Sequence, residues 1–216
     1  MGSSRLPAKV LADIGGRPVL AHVLERAKLI DSDAILVLAI PSAASDDPLV
    51  EIGVAAGATI VRGSTDDVLD RYHQAARQTA ADAVVRITGD CPLLDPAVSA
   101  LVVDRFRTGD LDYASNVHPP TYPDGYDTEI ISSAALAAAW REAVDPYERE
   151  HVTPFIWRRP DRFRSANVAD AVDRSSWRLT LDTAEDLEQI RRLHHRLHHR
   201  GTFGLAEIVD LRQTIA

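Results

Sequence analysis

With 216 residues, 45% hydrophobic and 26% charged, the chain has the make-up of a folded protein with one sizeable core, which excludes wholesale disorder. A formal charge of −8 excludes the broad basic face that nucleic acid or an anionic membrane surface requires, while leaving room for a small anionic substrate held by a few local cations. The single Cys91 forms no internal disulfide, in keeping with a reducing compartment.

Taken in chain order, the amino terminus shows no basic segment followed by an apolar one, so no secretion signal is expected. Val19, Leu20, Val23, Leu24 and Ala27 share one helical face. Ala34 to Ile40 is the longest apolar run, far too short to cross a bilayer but rich in strand formers. Ala58–Val61 and Ala83–Thr88 read as further strands, with a helix on Val68, Leu69, Tyr72, Ala75 and Ala76 between them. Continuously apolar strands alternating with helices predict a mostly parallel sheet covered by helices. Beyond residue 110 the rhythm loosens. Strands are expected at Asp112–Ser115 and Tyr126–Ile131, flanking the loop His118–Gly125, whose prolines and glycine forbid regular structure. A helix over Ser133–Val144 and a second starting at Asp145, with Pro146 in its first turn, come next. Strands Arg164–Val168 and Trp177–Leu181, a helix from Thr183 to about Arg200 and a last helix near Leu205–Leu211 complete one domain, 1–216. A cytoplasmic protein with no membrane or nucleic-acid partner is expected.

Three stretches carry residue types suited to chemistry. In Gly2-Ser-Ser-Arg-Leu-Pro-Ala-Lys9, glycine and two serines offer N–H and hydroxyl donors while Arg5 and Lys9 bring two charges, a combination a polyphosphate needs. The same residues also fit a polar tail with two solvated cations. Thr88-Gly-Asp-Cys-Pro92 follows an apolar strand, which puts Asp90 where α/β sheets bind ligands and where a carboxylate can hold Mg²⁺. It fits equally an ordinary turn before a helix capped by Asp95. Asp182 ends the apolar Leu179-Thr-Leu181, and Thr183 with Asp186 makes a capping pair. Alone, Asp182 reads as a turn residue; paired with Asp90 at a neighbouring strand end, it reads as half of a metal site. The cluster His194, His195, His198 and His199 reads as a solvated helix end.

Further motifs run along the chain: Gly16-Arg-Pro-Val-Leu20, Arg62-Gly-Ser-Thr-Asp-Asp-Val-Leu-Asp-Arg-Tyr72, Arg86-Ile-Thr-Gly-Asp-Cys-Pro92, Pro119-Pro-Thr-Tyr-Pro-Asp-Gly125, Glu148-Arg-Glu-His-Val-Thr-Pro154 and Leu179-Thr-Leu-Asp-Thr183. With Met1–Leu11, in this order and over nearly the whole length, the chain resembles the cytidylyltransferase family that includes spore coat polysaccharide biosynthesis protein SpsF. The CMP-sugar-acid synthetases are its wider relatives. The resemblance implies a three-layer, Rossmann-like nucleotide-diphospho-sugar transferase fold and transfer of CMP from CTP to a sugar acid or related acceptor. It implies that Gly2, Ser3, Ser4, Arg5 and Lys9 hold the triphosphate, with Arg62 and Ser64 near the nucleotide. Asp90 and Asp182 would ligate Mg²⁺, or Mn²⁺ in its place, and Arg5, Lys9 and Asp90 would be catalytic. Tyr122, Asp124, Arg149 and His151 would face the acceptor.

Two departures stand out. Ala8 replaces a family glycine, restricting the backbone there. Relatives begin with a strand ending in a Gln-Ala-Arg-like tripeptide, and this sequence starts after it. The expectation is a truncated or misassigned start, a sheet without the family's first strand, and an open edge that invites a partner chain, such as a homodimer. Two other readings stand beside this one: a glycosyltransferase on a related fold, and a non-catalytic nucleotide-binding relative. Glycosyltransferases place Asp-x-Asp after a strand, whereas Asp31-Ser-Asp33 and Asp110-Leu-Asp112 precede theirs.

Overall fold

The computed structural model describes residues 5–215. A short 3-10 turn, Lys9–Leu11, leads into a hairpin of β1 (Asp13–Ile14) and β2 (Arg17–Pro18). Gly15 and Gly16, at φ +60° and +83°, supply the two left-handed positions that a two-residue hairpin turn of this hand demands. α1 (Val19–Ala27) follows at once and buries Val19, Leu20, Val23 and Leu24, the face its spacing predicts.

β3 (Val37–Pro41), α2 (Asp47–Ala55) and β4 (Thr59–Gly63) form a crossover unit whose strands pair in parallel, Val37 opposite Thr59 through Pro41 opposite Gly63. α2 escapes the sequence reading because it buries little beyond Leu49 and Gly53, so no apolar stripe marks it. α3 (Val68–Thr79), β5 (Ala83–Arg86) and α4 (Pro96–Arg107) come next. They are followed by β6 (Tyr113–Ser115), β7 (Glu129–Ser132), α5 (Ser133–Glu142), α6 (Pro146–His151) and α7 (Pro154–Trp157). β8 (Ser165–Asn167), α8 (Ala184–Leu197) and α9 (Leu205–Ile215) end the described chain.

The larger sheet has the order β5-β7-β6-β8 and helices on both faces. Tyr113, Ile131 and Val84 point into a cluster with Leu69 of α3 and the alanines of α5. Their strand neighbours Ala114, Ile130 and Val85 point the other way, onto Val102 and Val103 of α4. A third cluster joins Ile14, Val19 and Val23 to Leu179, Leu181 and the inner faces of α8 and α9.

The expectation of one mostly parallel sheet is not met. β7 runs antiparallel to both β5 and β6, and only β6–β8 pairs in parallel within this sheet. The reason is local: residues 116–128 return the chain without a crossover helix, so β7 must reverse direction. β3–β4 forms a separate sheet, and no backbone pairing among the described residues joins it to β5. The expected strand Trp177–Leu181 is not a strand either. Leu179 and Leu181 are wholly buried, but Leu179 N–H donates to Asp124 O (2.7 Å) and Leu181 N–H to Asp90 O (2.9 Å). An extended segment whose bonds go to two different partners builds no ladder. Among the described residues, no helix is long and apolar enough to cross a membrane.

Candidate active site

β5 delivers its chain to Asp90, and Thr88 Oγ1 donates to Asp90 Oδ1 at 2.6 Å, fixing the carboxylate plane. Asp182 arrives beside it because Leu181 N–H is bonded to Asp90 O. The start of α8 then anchors it. Thr183 Oγ1 accepts from Asp186 N–H, while Asp186 Oδ2 accepts from the N–H groups of Asp182 and Thr183, both at 2.9 Å. This capping box, anticipated from the Thr183/Asp186 spacing, holds Asp182 at its edge.

Between the carboxylates lies one ammonium. Lys9 Nζ donates to Asp90 Oδ2 at 2.6 Å and to Asp182 Oδ1 at 2.7 Å. Burial pushes the Lys9 pKa down, but its bonds to Asp182 and Asp90 outweigh that and the net shift is upward. The Lys9 bond holds the Asp182 carboxyl below its ordinary range. Asp182 Oδ2 faces two arginines: Arg178 Nη2 at 2.8 Å, and Arg5 Nη2 at 3.2 Å with its side chain 65% exposed. Arg178 also grips Asp186 through Nε (2.8 Å), which holds the Asp186 carboxyl down to about 2, and lies 3.8 Å from Asp124 Oδ2. Lys9 reaches this point from a turn in which Ala8 adopts the left-handed conformation, φ 57° and ψ 27°. The residue in place of the family's glycine therefore takes a glycine's backbone.

Arg5, Lys9, Asp90 and Asp182 thus converge, with Asp124 at the rim through Arg178. Gly2, Ser3 and Ser4 lie outside the described residues. Tyr122 is buried in the core cluster that also holds Leu179 and Leu181. Arg62 and Ser64 have partners within the fold: Arg62 reaches Asp47 (2.6 Å), Pro41 O (3.2 Å) and Ala43 O (2.9 Å), and Ser64 Oγ accepts from the N–H groups of Asp66 and Asp67. Arg149 is committed elsewhere, to Asp67 Oδ2 (3.0 Å from Nε) and Trp140 O (2.7 Å from Nη1). His151 is exposed against the Tyr147 ring, centroids 4.3 Å apart. No bond among the described residues links these two to the Asp90–Asp182 pair.

Three site residues escape sequence reasoning. Arg178 reads there only as a residue of an apolar segment. Thr88 looks like part of a strand. Asp127 sits inside the run expected to be strand, yet it is a half-buried carboxyl that makes no hydrogen bond or ion pair among the described residues. Burial, then the charges of Asp124 and Glu129, push it up to about 6 against the pull of Arg86. Asp127 lies near enough to the site for its charge and those of Asp90 and Cys91 to act on one another. Its neighbours are pinned: Asn116 Nδ2 donates to Tyr126 O (2.8 Å) and Thr128 N–H to Asn116 Oδ1 (2.9 Å). The histidine cluster is not wholly solvated. His194 turns inward, its ring 4.9 Å from that of His22 and below Gly15, and burial drives it down to about 4. Among the described residues, no three of His, Cys, Asp or Glu group as metal ligands.

The constellation sits on an α/β scaffold of the nucleotidyltransferase kind. Over residues 1–211 the chain matches the family model described as Cytidylyltransferase. The chain belongs to the cytidylyltransferase family. It is 34% identical to uncharacterized protein MJ1063 of Methanocaldococcus jannaschii, across 99% of this chain and 85% of that one. It is 29% identical to spore coat polysaccharide biosynthesis protein SpsF of Bacillus subtilis (98% and 90%). It is 31% identical to a 3-deoxy-manno-octulosonate cytidylyltransferase of Cellvibrio japonicus (88% and 80%). Among solved structures, a cytidylyltransferase from Leptospira borgpetersenii superposes with a TM-score of 0.93 at 31% identity, covering 99% of this chain and 90% of that one. CMP:2-keto-3-deoxy-manno-octonic acid synthetase complexed with CTP shares the fold, with a TM-score of 0.68 at 21% identity over 90% and 95% of the two chains.

Proposed function

We propose that one domain, spanning 1–216, transfers CMP from CTP to a hydroxyl of a small sugar acid and releases pyrophosphate, a cytoplasmic step toward glycan precursors. The observation that carries this is the convergence of Lys9 on Asp90 and Asp182, at 2.6 and 2.7 Å, beside Arg5 and Arg178. Basic groups for a polyphosphate and acidic groups for its metal occupy one spot.

The donor set suits a hard divalent ion. Two carboxylate oxygens face one cation position, and a carboxylate pair suits Mg²⁺, which takes its remaining ligands from phosphates and water. Asp90 and Asp182 would hold it. When bound, Mg²⁺ or Mn²⁺ would neutralise charge on the phosphates. Lys9 and Arg5 take up the charge that grows on the departing pyrophosphate. Gly2, Ser3 and Ser4 would add donors for the phosphates, and Arg62 of β4 with Ser64 just after it would lie by the nucleotide. Asp124, beside Arg178 at the rim, faces the acceptor; Tyr122 is buried in the core, and Arg149 and His151 bond or stack elsewhere in the fold. Asp127, without a hydrogen bond or ion pair among the described residues and held up to about 6 chiefly by burial, accepts the proton of the attacking hydroxyl.

A thermal-shift screen of CTP, UTP, ATP and GTP, with and without Mg²⁺, tests the reading. CTP should stabilise most, and only with the metal; equal responses to all four nucleotides would reject cytidine specificity. Pyrophosphate release from CTP over a panel of sugar acids that includes 3-deoxy-manno-octulosonate then identifies the acceptor.

A further inference from the structure

Lys9 does more than wait for phosphate. Each carboxylate has one oxygen already engaged by its own neighbours: Asp90 Oδ1 by the Thr88 hydroxyl, and Asp182 Oδ2 by Arg178 and Arg5. The two remaining oxygens, Asp90 Oδ2 and Asp182 Oδ1, are both taken by the single Lys9 ammonium. These are the oxygens a divalent ion would use. We propose that Lys9 is the resident counter-ion of this seat in the nucleotide-free protein. It must vacate the seat before a divalent ion can enter, so metal and polyphosphate are admitted together. The inference rests on the metal reading of Asp90 and Asp182.

The physical argument is one of exclusion. A divalent ion on these oxygens would stand within a few ångströms of the ammonium, with little water between, because Lys9 is only 16% exposed and the carboxylates 24% and 20%. Like charges at that spacing repel strongly. An empty pair of carboxylates would be no better, since the two would repel each other with only Arg178 and the largely exposed Arg5 to offset them, both on the far oxygen of Asp182. Lys9 resolves this in the free protein, and its flexible four-carbon stem lets it move without moving the backbone. A triphosphate offers the ammonium new oxygens, so nucleotide binding opens the seat. If Lys9 were a phosphate ligand and nothing more, removing it would leave binding of metal alone unchanged. As a resident counter-ion, its removal tightens that binding.

The test is a titration of Mn²⁺ into the full chain, reading free ion by electron paramagnetic resonance, without nucleotide and then with saturating CTP. Lys9→Met should bind Mn²⁺ alone at least about tenfold more tightly than the wild type, and Lys9→Gln should behave alike. Lys9→Arg, which keeps the charge, should show no gain. Adding Asp90→Asn to Lys9→Met should abolish the gain, which locates it at this seat. Neutral variants that bind Mn²⁺ alone no better than the wild type would overturn the proposal. The metal reading fails separately: Asp90→Asn in the otherwise native chain would then leave Mn²⁺ binding in the presence of CTP intact.

Discussion

Asp127 shows how one side chain can weaken a fold and still serve it. Its carboxyl is half-buried, unbonded among the described residues and raised to about 6 by burial and by Asp124 and Glu129. The folded protein therefore binds a proton at this site between roughly pH 4 and 6 that the unfolded chain does not, so the site's cost to stability grows as pH rises through that window. Asp127→Asn should raise the melting temperature at pH 7, with the gain shrinking toward pH 5 as the native carboxyl becomes protonated. On the role proposed for Asp127 as proton acceptor, the same change should lower turnover about 10²-fold while leaving CTP binding in place. Melting curves at several pH values and a calorimetric CTP titration check both halves. Ala8 is a second such residue. Its left-handed backbone costs about 1 kcal/mol that glycine would not, set against the greater freedom glycine has when unfolded. Ala8→Gly should leave stability unchanged or slightly higher, where a typical replacement by glycine lowers it.

At the scale of elements, the site depends on a helix start. Thr183 caps α8 and, with Asp186, orders the turn that carries Asp182. Thr183→Ala should cost about 1 kcal/mol of stability, read as a lower melting temperature, and should weaken metal-dependent CTP binding with it. This cap was legible in the sequence, because Thr-x-x-Asp before an apolar stripe is a local signal. The helical face of α1 was legible for the same reason. The direction of β7 was not. Whether residues 116–128 cross over the sheet or double back depends on where Asn116 and Gly125 find partners: Asn116 bonds across the loop to Tyr126 and Thr128, while Gly125 packs on Leu179, far along the chain. Gly125 has φ +107°, and a Cβ there would lie 2.6 Å from the Leu179 backbone, a contact no pattern predicts. Arg178 was missed likewise: nothing in a four-residue interval says that a guanidinium will fold back on Asp182 and Asp186.

Across the whole molecule, the hairpin and α1 meet α8 through His22 and His194. His194 is held near 4, against an unfolded value near 6.5, chiefly by burial. Here the unfolded chain binds the extra proton, so stability present above about pH 6.5 is lost as pH falls toward 4. That slope opposes the one from Asp127, and the two partly offset in the native protein. His194→Asn should therefore flatten the loss of stability between pH 7 and 5, measured against the wild type. A variant that melts with the native pH dependence would remove His194 from this role.

Lys9 and Asp182 are 173 positions apart, and the Leu181 N–H bond to Asp90 O is what brings the far partner into place. A growing chain on the ribosome thus carries its basic turn and the first of the two carboxylates long before the second exists. Nucleotide can reward folding only when synthesis is nearly complete, and the closure of so long a loop is among the slower events in assembly. The ligand would act as a late clamp that senses whether the last quarter of the chain has docked.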